Sequence, residues 1–155
     1  MKTDTRLSGV LHVLLHMAGQ DRPAISEALA QAMTTNPVVI RRVLAGLRER
    51  GLVRSEKGHG GGWTLARPLE AITLREVYEA LGSPSPLAIG NRAEAPSCLV
   101  EQAVNAALDD VFDEATAVLM RGLGAVTLAA LNDDFNARLT ARKQAGTLEN
   151  AHVRH

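Results

Sequence analysis

The sequence predicts a mainly α-helical fold with a small two-stranded β wing: a winged helix-turn-helix followed by a long dimerisation helix. Three observations carry that prediction. Phe, Trp and Tyr make up 3% of the residues, so the core has to be built from Leu, Val, Ile and Ala, which favours packed helices. Residues 34–67, TTNPVVIRRVLAGLRERGLVRSEKGHGGGWTLAR, read in order as a turn, a basic amphipathic helix, a strand, a glycine-rich hairpin tip and a second strand. Residues 98–123 form the longest helical pattern and carry an apolar stripe that nothing left in the chain fully covers.

A first helix is expected over residues 5–18, where Leu7, Val10, Leu11, Leu14, Leu15 and Ala18 share one face. Residues 19–23, GQDRP, break it. Ser26 is placed as the N-cap of a second helix over 27–33, with Ala28, Leu29, Ala32 and Met33 inward. Thr34 and Thr35 make the turn. Asn36 caps a third helix, and Pro37 takes its first position, where a missing N–H costs nothing. That helix runs to about Arg50 and ends at Gly51, with Val39, Ile40, Val43, Leu44 and Leu47 inward and Arg41, Arg42, Arg48 and Glu49 outward. Strands over 52–56 and 63–66 flank the tip KGHGGG, and Pro68 stops the second. Thr73 and Glu76 form a capping box for a fourth helix over 74–81. Residues 82–96 read as loop. The long helix follows, with Val100, Val104, Leu108, Val111, Ala115, Val118 or Leu119, and Gly122 as its stripe. A shorter helical segment over 127–135 precedes a polar tail, expected to fray from about Arg138. The resulting division is a winged helix-turn-helix over 1–82, a loop over 83–97, a dimerisation helix region over 98–136 and a polar flexible tail over 137–155.

A chain of 155 residues, 46% apolar and 22% charged, suits one globular domain with an appended element. No apolar run approaches the roughly 18 residues that span a bilayer, so no membrane association is expected. Asp4, His12 and His16 argue against reading the N-terminus as a signal peptide, and a cytoplasmic location is expected. The single cysteine, Cys98, makes no internal disulfide and by itself supplies no metal site. No nucleophile–base pair or metal constellation appears, so no enzymatic activity is expected. A formal net charge of zero hides a polarised molecule. Residues 37–67 hold seven Lys and Arg against two acids, a local +5, whereas residues 92–134 hold two against eight, a local −6. Phosphate affinity follows the local field, and charges beyond a Debye length of about 10 Å are screened.

The basic helix presents Asn36, Pro37, Val38, Arg41 and Arg42 on its first turns, the part of such a helix that reaches base edges in a major groove. An arginine there can hold guanine bidentately, worth about 1–3 kcal/mol of discrimination. In the wing, Lys57, Gly58, His59, Gly60 and Gly61 combine cationic side chains with a backbone that can approach a phosphate or the minor groove closely. Trp63 alternates with Leu65 and is expected to pack the wing on the core. His12 and His16 have a spacing that can grip a metal, but no acid or cysteine lies near them in sequence, so a packing or surface role is expected. Asp109, Asp110, Asp113 and Glu114 read as the solvated face of the long helix.

The run VVIRRVLAGLRERGLVRSEKGHGGGWTLARP, then ITLREVYEAL, then VTLAAL, resembles the Rrf-type winged-helix transcriptional regulators, whose members include IscR, NsrR and CymR. The likeness covers roughly residues 5–131, and its wing signature G-x-G-G-G-W-x-L-A-R is specific. The resemblance implies a DNA-binding homodimer in which the long helix pairs with its partner, an inverted-repeat operator in double-stranded DNA, and base readout at position 41. Repression is the expected outcome, because occupying a promoter needs no further contact. The iron–sulfur members carry three cysteines before the long helix. Here the loop over 82–97 has none and Cys98 stands at its end, so no iron–sulfur cluster is expected. The chain resembles the cluster-free branch, in which some members sense oxidants or electrophiles through a cysteine. Cys98, near a helix N-terminus that lowers thiol pKa, is the redox-sensing candidate. Two alternatives stay open: a small effector bound in the loop and dimer region with Cys98 passive, and a winged helix used for protein contact.

Overall fold

The computed structural model describes residues 4–152. The elements run α1 (Arg6–Ala18), α2 (Ser26–Ala32), α3 (Pro37–Glu49), β1 (Val53–Glu56), β2 (Gly62–Leu65), a 3-10 turn (Leu69–Ala71), α4 (Leu74–Ala80), α5 (Leu99–Gly124) and α6 (Leu128–His152). The predicted mainly helical fold with a two-stranded wing is the one observed. β1 and β2 are antiparallel, with Val53 opposite Leu65, Arg54 opposite Thr64, Ser55 opposite Trp63 and Glu56 opposite Gly62.

The core sits where α1, α2, α3, β1 and the approach to α4 meet. Leu14, Leu29, Leu44, Leu47, Leu52, Val53, Ile72, Val77 and Leu128 are fully buried there. Burying one such side chain contributes about 1.5–3 kcal/mol, so this cluster holds the unit together. Leu128 comes from the start of α6, far along the chain. Its N–H donates to the Ile72 carbonyl at 2.9 Å, and the Leu74 N–H donates to the Val126 carbonyl at 3.0 Å. The junction between α5 and α6 is thereby stapled to the winged-helix core.

Local chemistry explains most boundaries. The Asn36 side chain accepts from the Val38 N–H at 2.8 Å, Pro37 opens α3, and Gly51 follows it at φ 70°. Thr73 and Glu76 form the expected capping box. Some expectations are corrected. Ser26 lies inside α2, with Ile25 as N-cap, because its hydroxyl is taken by Trp63. Ala28, Ala32 and Val39 are exposed rather than inward; α2 instead buries Ser26, Leu29 and Ala30. The helix expected to end at 135 and the tail expected to fray from 138 form one helix to His152, with 153–155 outside the described residues. Its second half has almost no apolar stripe, so strong helix formers such as Ala, Arg, Lys, Gln and Leu sustain it.

The predicted loop is ordered against α5 by polar contacts. Asn91 donates to Asp109 at 2.8 Å, Asn105 to the Ala93 carbonyl at 2.7 Å and Gln102 to the Pro96 carbonyl at 3.1 Å. α5 itself buries no residue: Val100, Val104, Val111 and Val118 are 50–71% exposed.

Candidate nucleic-acid interface

The candidate interface comprises the first turns of α3 and the hairpin tip, which carry the site residues expected from the sequence. The Asn36 cap and Pro37 fix how α3 emerges from the turn, and they leave Val38 and Val39 exposed beside Arg41 and Arg42. Exposed aliphatic groups next to guanidinium forks are the pair of chemistries that major-groove edges recognise: thymine methyls and guanine acceptors. Arg41 forms an ion pair with Glu27 of α2. Arg42 makes no ion pair among the described residues.

The wing is fixed at its base. Trp63 is half-buried, and its indole N–H donates to the Ser26 hydroxyl at 3.1 Å. Its backbone forms a two-bond bridge with Ala24, at 2.9 and 2.8 Å. The Arg48 guanidinium lies 5.8 Å from the centre of the Trp63 ring and donates to Ser55 at 3.2 Å. One indole thus joins the wing to α2 and α3, as its predicted packing role required. The glycines answer to crowding as well as to turning. A Cβ on Gly61 would stand 2.2 Å from the Glu56 carbonyl oxygen, and one on Gly62 would stand 2.6 Å from that of Ala24. Lys57, Gly58, His59 and Gly60 remain exposed at the tip.

The seven basic residues of this region are not equivalent. Arg67 pairs with Glu76 at 2.8 Å, Arg54 donates to Thr64 at 3.2 Å, and Arg48 braces the wing. Arg42, Arg50 and Lys57 make no ion pair among the described residues. The composition of the stretch did not reveal this sorting. Nor did it reveal Glu27 and Ser26 as the partners of Arg41 and Trp63, because the pairs lie 14 and 37 residues apart in sequence.

Cys98 is the N-cap of α5 and is exposed. The backbone N–H of Glu101 foremost, and that of Val100, hold its thiol pKa below the ordinary value, although its sulfur makes no formal capping hydrogen bond. His12 and His16 are exposed, with Nε2 atoms 2.9 Å apart. They line a cavity of about 370 Å³ with Leu15, Gly19, Gln20 and Phe135. Among the described residues no helix is long and apolar enough to cross a membrane.

Residues 3–134 match the Rrf2 family, described as an iron-dependent transcriptional regulator. YwnA of Bacillus subtilis, assigned as an HTH-type transcriptional regulator, is 29% identical over 125 residues, covering 81% of this chain and 92% of YwnA. Rv1287 of Mycobacterium tuberculosis, assigned to the same class, is 30% identical over 130 residues, covering 77% of this chain and 80% of that one. The crystal structure of a transcriptional regulator from Lactobacillus plantarum superposes with a TM-score of 0.71 at 25% identity, covering 91% of this chain and 98% of the other. The family description names iron. Cys98 is the single cysteine of the chain, and among the described residues no group of three or more His, Cys, Asp or Glu is placed to hold a metal ion.

Proposed function

We propose that this chain, which belongs to the Rrf2 family of transcriptional regulators, acts in the cytoplasm as a homodimeric repressor that grips an inverted-repeat operator in duplex DNA. The observation that carries this reading is the linkage of α3 and the wing through Trp63. Arg41, Arg42, Lys57 and His59 ride on one braced unit, so a recognition helix in the major groove and a tip on the backbone can engage together.

The dimer is supported by α5. Val104, Leu108, Val111, Ala115, Val118 and Gly122 are spaced alternately four and three apart, a coiled-coil seam, and the valines among them are exposed in the single chain. A second copy gives that seam a twofold partner and sets two recognition helices about 34 Å apart, one duplex turn. Asp109, Asp110, Asp113 and Glu114 on the same helix keep the stalk away from phosphates.

On this reading the protein works without an iron–sulfur cluster, and the signal enters at Cys98. An exposed thiol with a lowered pKa is more thiolate at neutral pH and reacts faster with oxidants or electrophiles. A bulky or charged adduct at the first residue before α5 would disturb the loop contacts that tie α5 to residues 91–96.

Footprinting on the gene's own upstream region, with and without a thiol oxidant, tests the reading. The expected result is a protected inverted repeat that is released on oxidation. No protection in dilute buffer would overturn DNA binding, and protection indifferent to oxidation would overturn the sensor.

A further inference from the structure

We propose that Glu27 is a specificity-determining residue that acts through Arg41, so that a base pair is read by the ion pair rather than by the arginine alone; the inference rests on the DNA-binding reading above. The pair joins the second residue of α2 to the fifth of α3, with the Arg41 side chain 51% exposed and that of Glu27 58% exposed. An ion pair so open to water adds little to stability. A carboxylate on a surface that meets phosphates also opposes binding. Both facts argue against a role in folding or in general affinity.

What the carboxylate does supply is orientation. It engages the Nη2 side of the guanidinium and leaves the remaining N–H groups as a fixed fork. Guanine offers two acceptors, O6 and N7, that match a donor fork, whereas adenine offers one acceptor and one donor. An unheld arginine can swing to a phosphate, which carries affinity without sequence information. Arg42, one residue on, has no ion-pair partner among the described residues and suits that phosphate role. The backbone that carries Glu27 is anchored. The adjacent Ser26 is buried and bonded to Trp63, and Ala24 is bridged to the same residue, so the first turn of α2 cannot drift.

The test is selection from a random duplex library with the full-length wild type, Glu27→Gln, Arg41→Ala, the double variant and Arg42→Ala, each with a matching thermal melt. Glu27→Gln is expected to melt like wild type. Its preference for guanine at one position of each half-site falls about tenfold, while its affinity for unselected duplex rises about twofold at low salt. Arg41→Ala loses the preference at that same position, and adding Glu27→Gln to it changes nothing further there. Arg42→Ala weakens binding to all sequences alike. Full guanine preference in Glu27→Gln, or a loss spread evenly over every position, overturns the inference while leaving DNA binding in place. A wild type that selects no sequence overturns both.

Discussion

Replacing Gly62 by alanine tests whether the wing owes its position to the base of the hairpin. The added Cβ would lie 2.6 Å from the Ala24 carbonyl oxygen and 2.9 Å from its carbon. Both are backbone atoms, so no flexible side chain can yield, and β2 has to move away. That movement breaks the two Ala24–Trp63 hydrogen bonds, now 2.9 and 2.8 Å, and strains the indole contact with Ser26. At about 1 kcal/mol net for each bond lost, the variant should be destabilised by about 2–3 kcal/mol. For a chain of this size each kcal/mol shifts the melting temperature by about 2–4 °C, so a fall of about 5–10 °C is expected. Circular dichroism melts measure it, with Gly90→Ala as control, because a Cβ there meets nothing within 4 Å. The surviving folded protein should also bind duplex more weakly, since the wing tip is displaced relative to α3. A Gly62→Ala melt within 1 °C of wild type would refute the argument that hairpin docking depends on this glycine.

Further expectations follow from individual side chains. Lys57→Ala removes one phosphate contact per subunit, so the slope of log K against log salt for the dimer should become shallower by about 2; an unchanged slope removes Lys57 from the interface. Cys98→Ser should keep wild-type affinity for DNA and lose its response to a thiol oxidant, read by gel shift; a retained response shows the signal enters elsewhere. Glu76→Gln should cost about 1 kcal/mol at pH 7 through the weakened capping box. The Glu76 carboxyl is held below its ordinary pKa, by the Thr73 N–H first and by Arg67 as well. Its stabilisation is therefore present above pH 4.5 and lost as pH falls through the lower folded-state value, so the gap between wild type and variant should close in acid. A gap independent of pH in denaturant titrations would contradict that assignment.

How much of this was legible in the residues depends on the range of the interaction. Asn36 with Pro37, Gly51, and the Thr73–Glu76 pair are local grammars of helix ends, and each is found where its spacing placed it. Trp63 was legible as a packing residue from its alternation with Leu65. Ser26 was misread because a hydroxyl before a helix can cap or can serve a distant donor, and the donor here is 37 residues away. Leu128 entered the core for a similar reason: its burial depends on a bridge between Thr73 and Thr127 that no local pattern announces. The length of α6 escaped a reading based on apolar stripes, since propensity rather than amphipathicity sustains its second half. At the candidate interface, charge pattern picks out the basic stretch over residues 37–67. It left open which cations are spent on scaffolding, because Arg48, Arg54 and Arg67 find their partners only in three dimensions.

Native mass spectrometry of the protein with a duplex recovered by selection tests the central claim most directly. Two braced units on a shared α5 seam predict two chains on one duplex carrying an inverted repeat. A complex of one chain with one duplex, or free protein beside free DNA at low ionic strength, would contradict it.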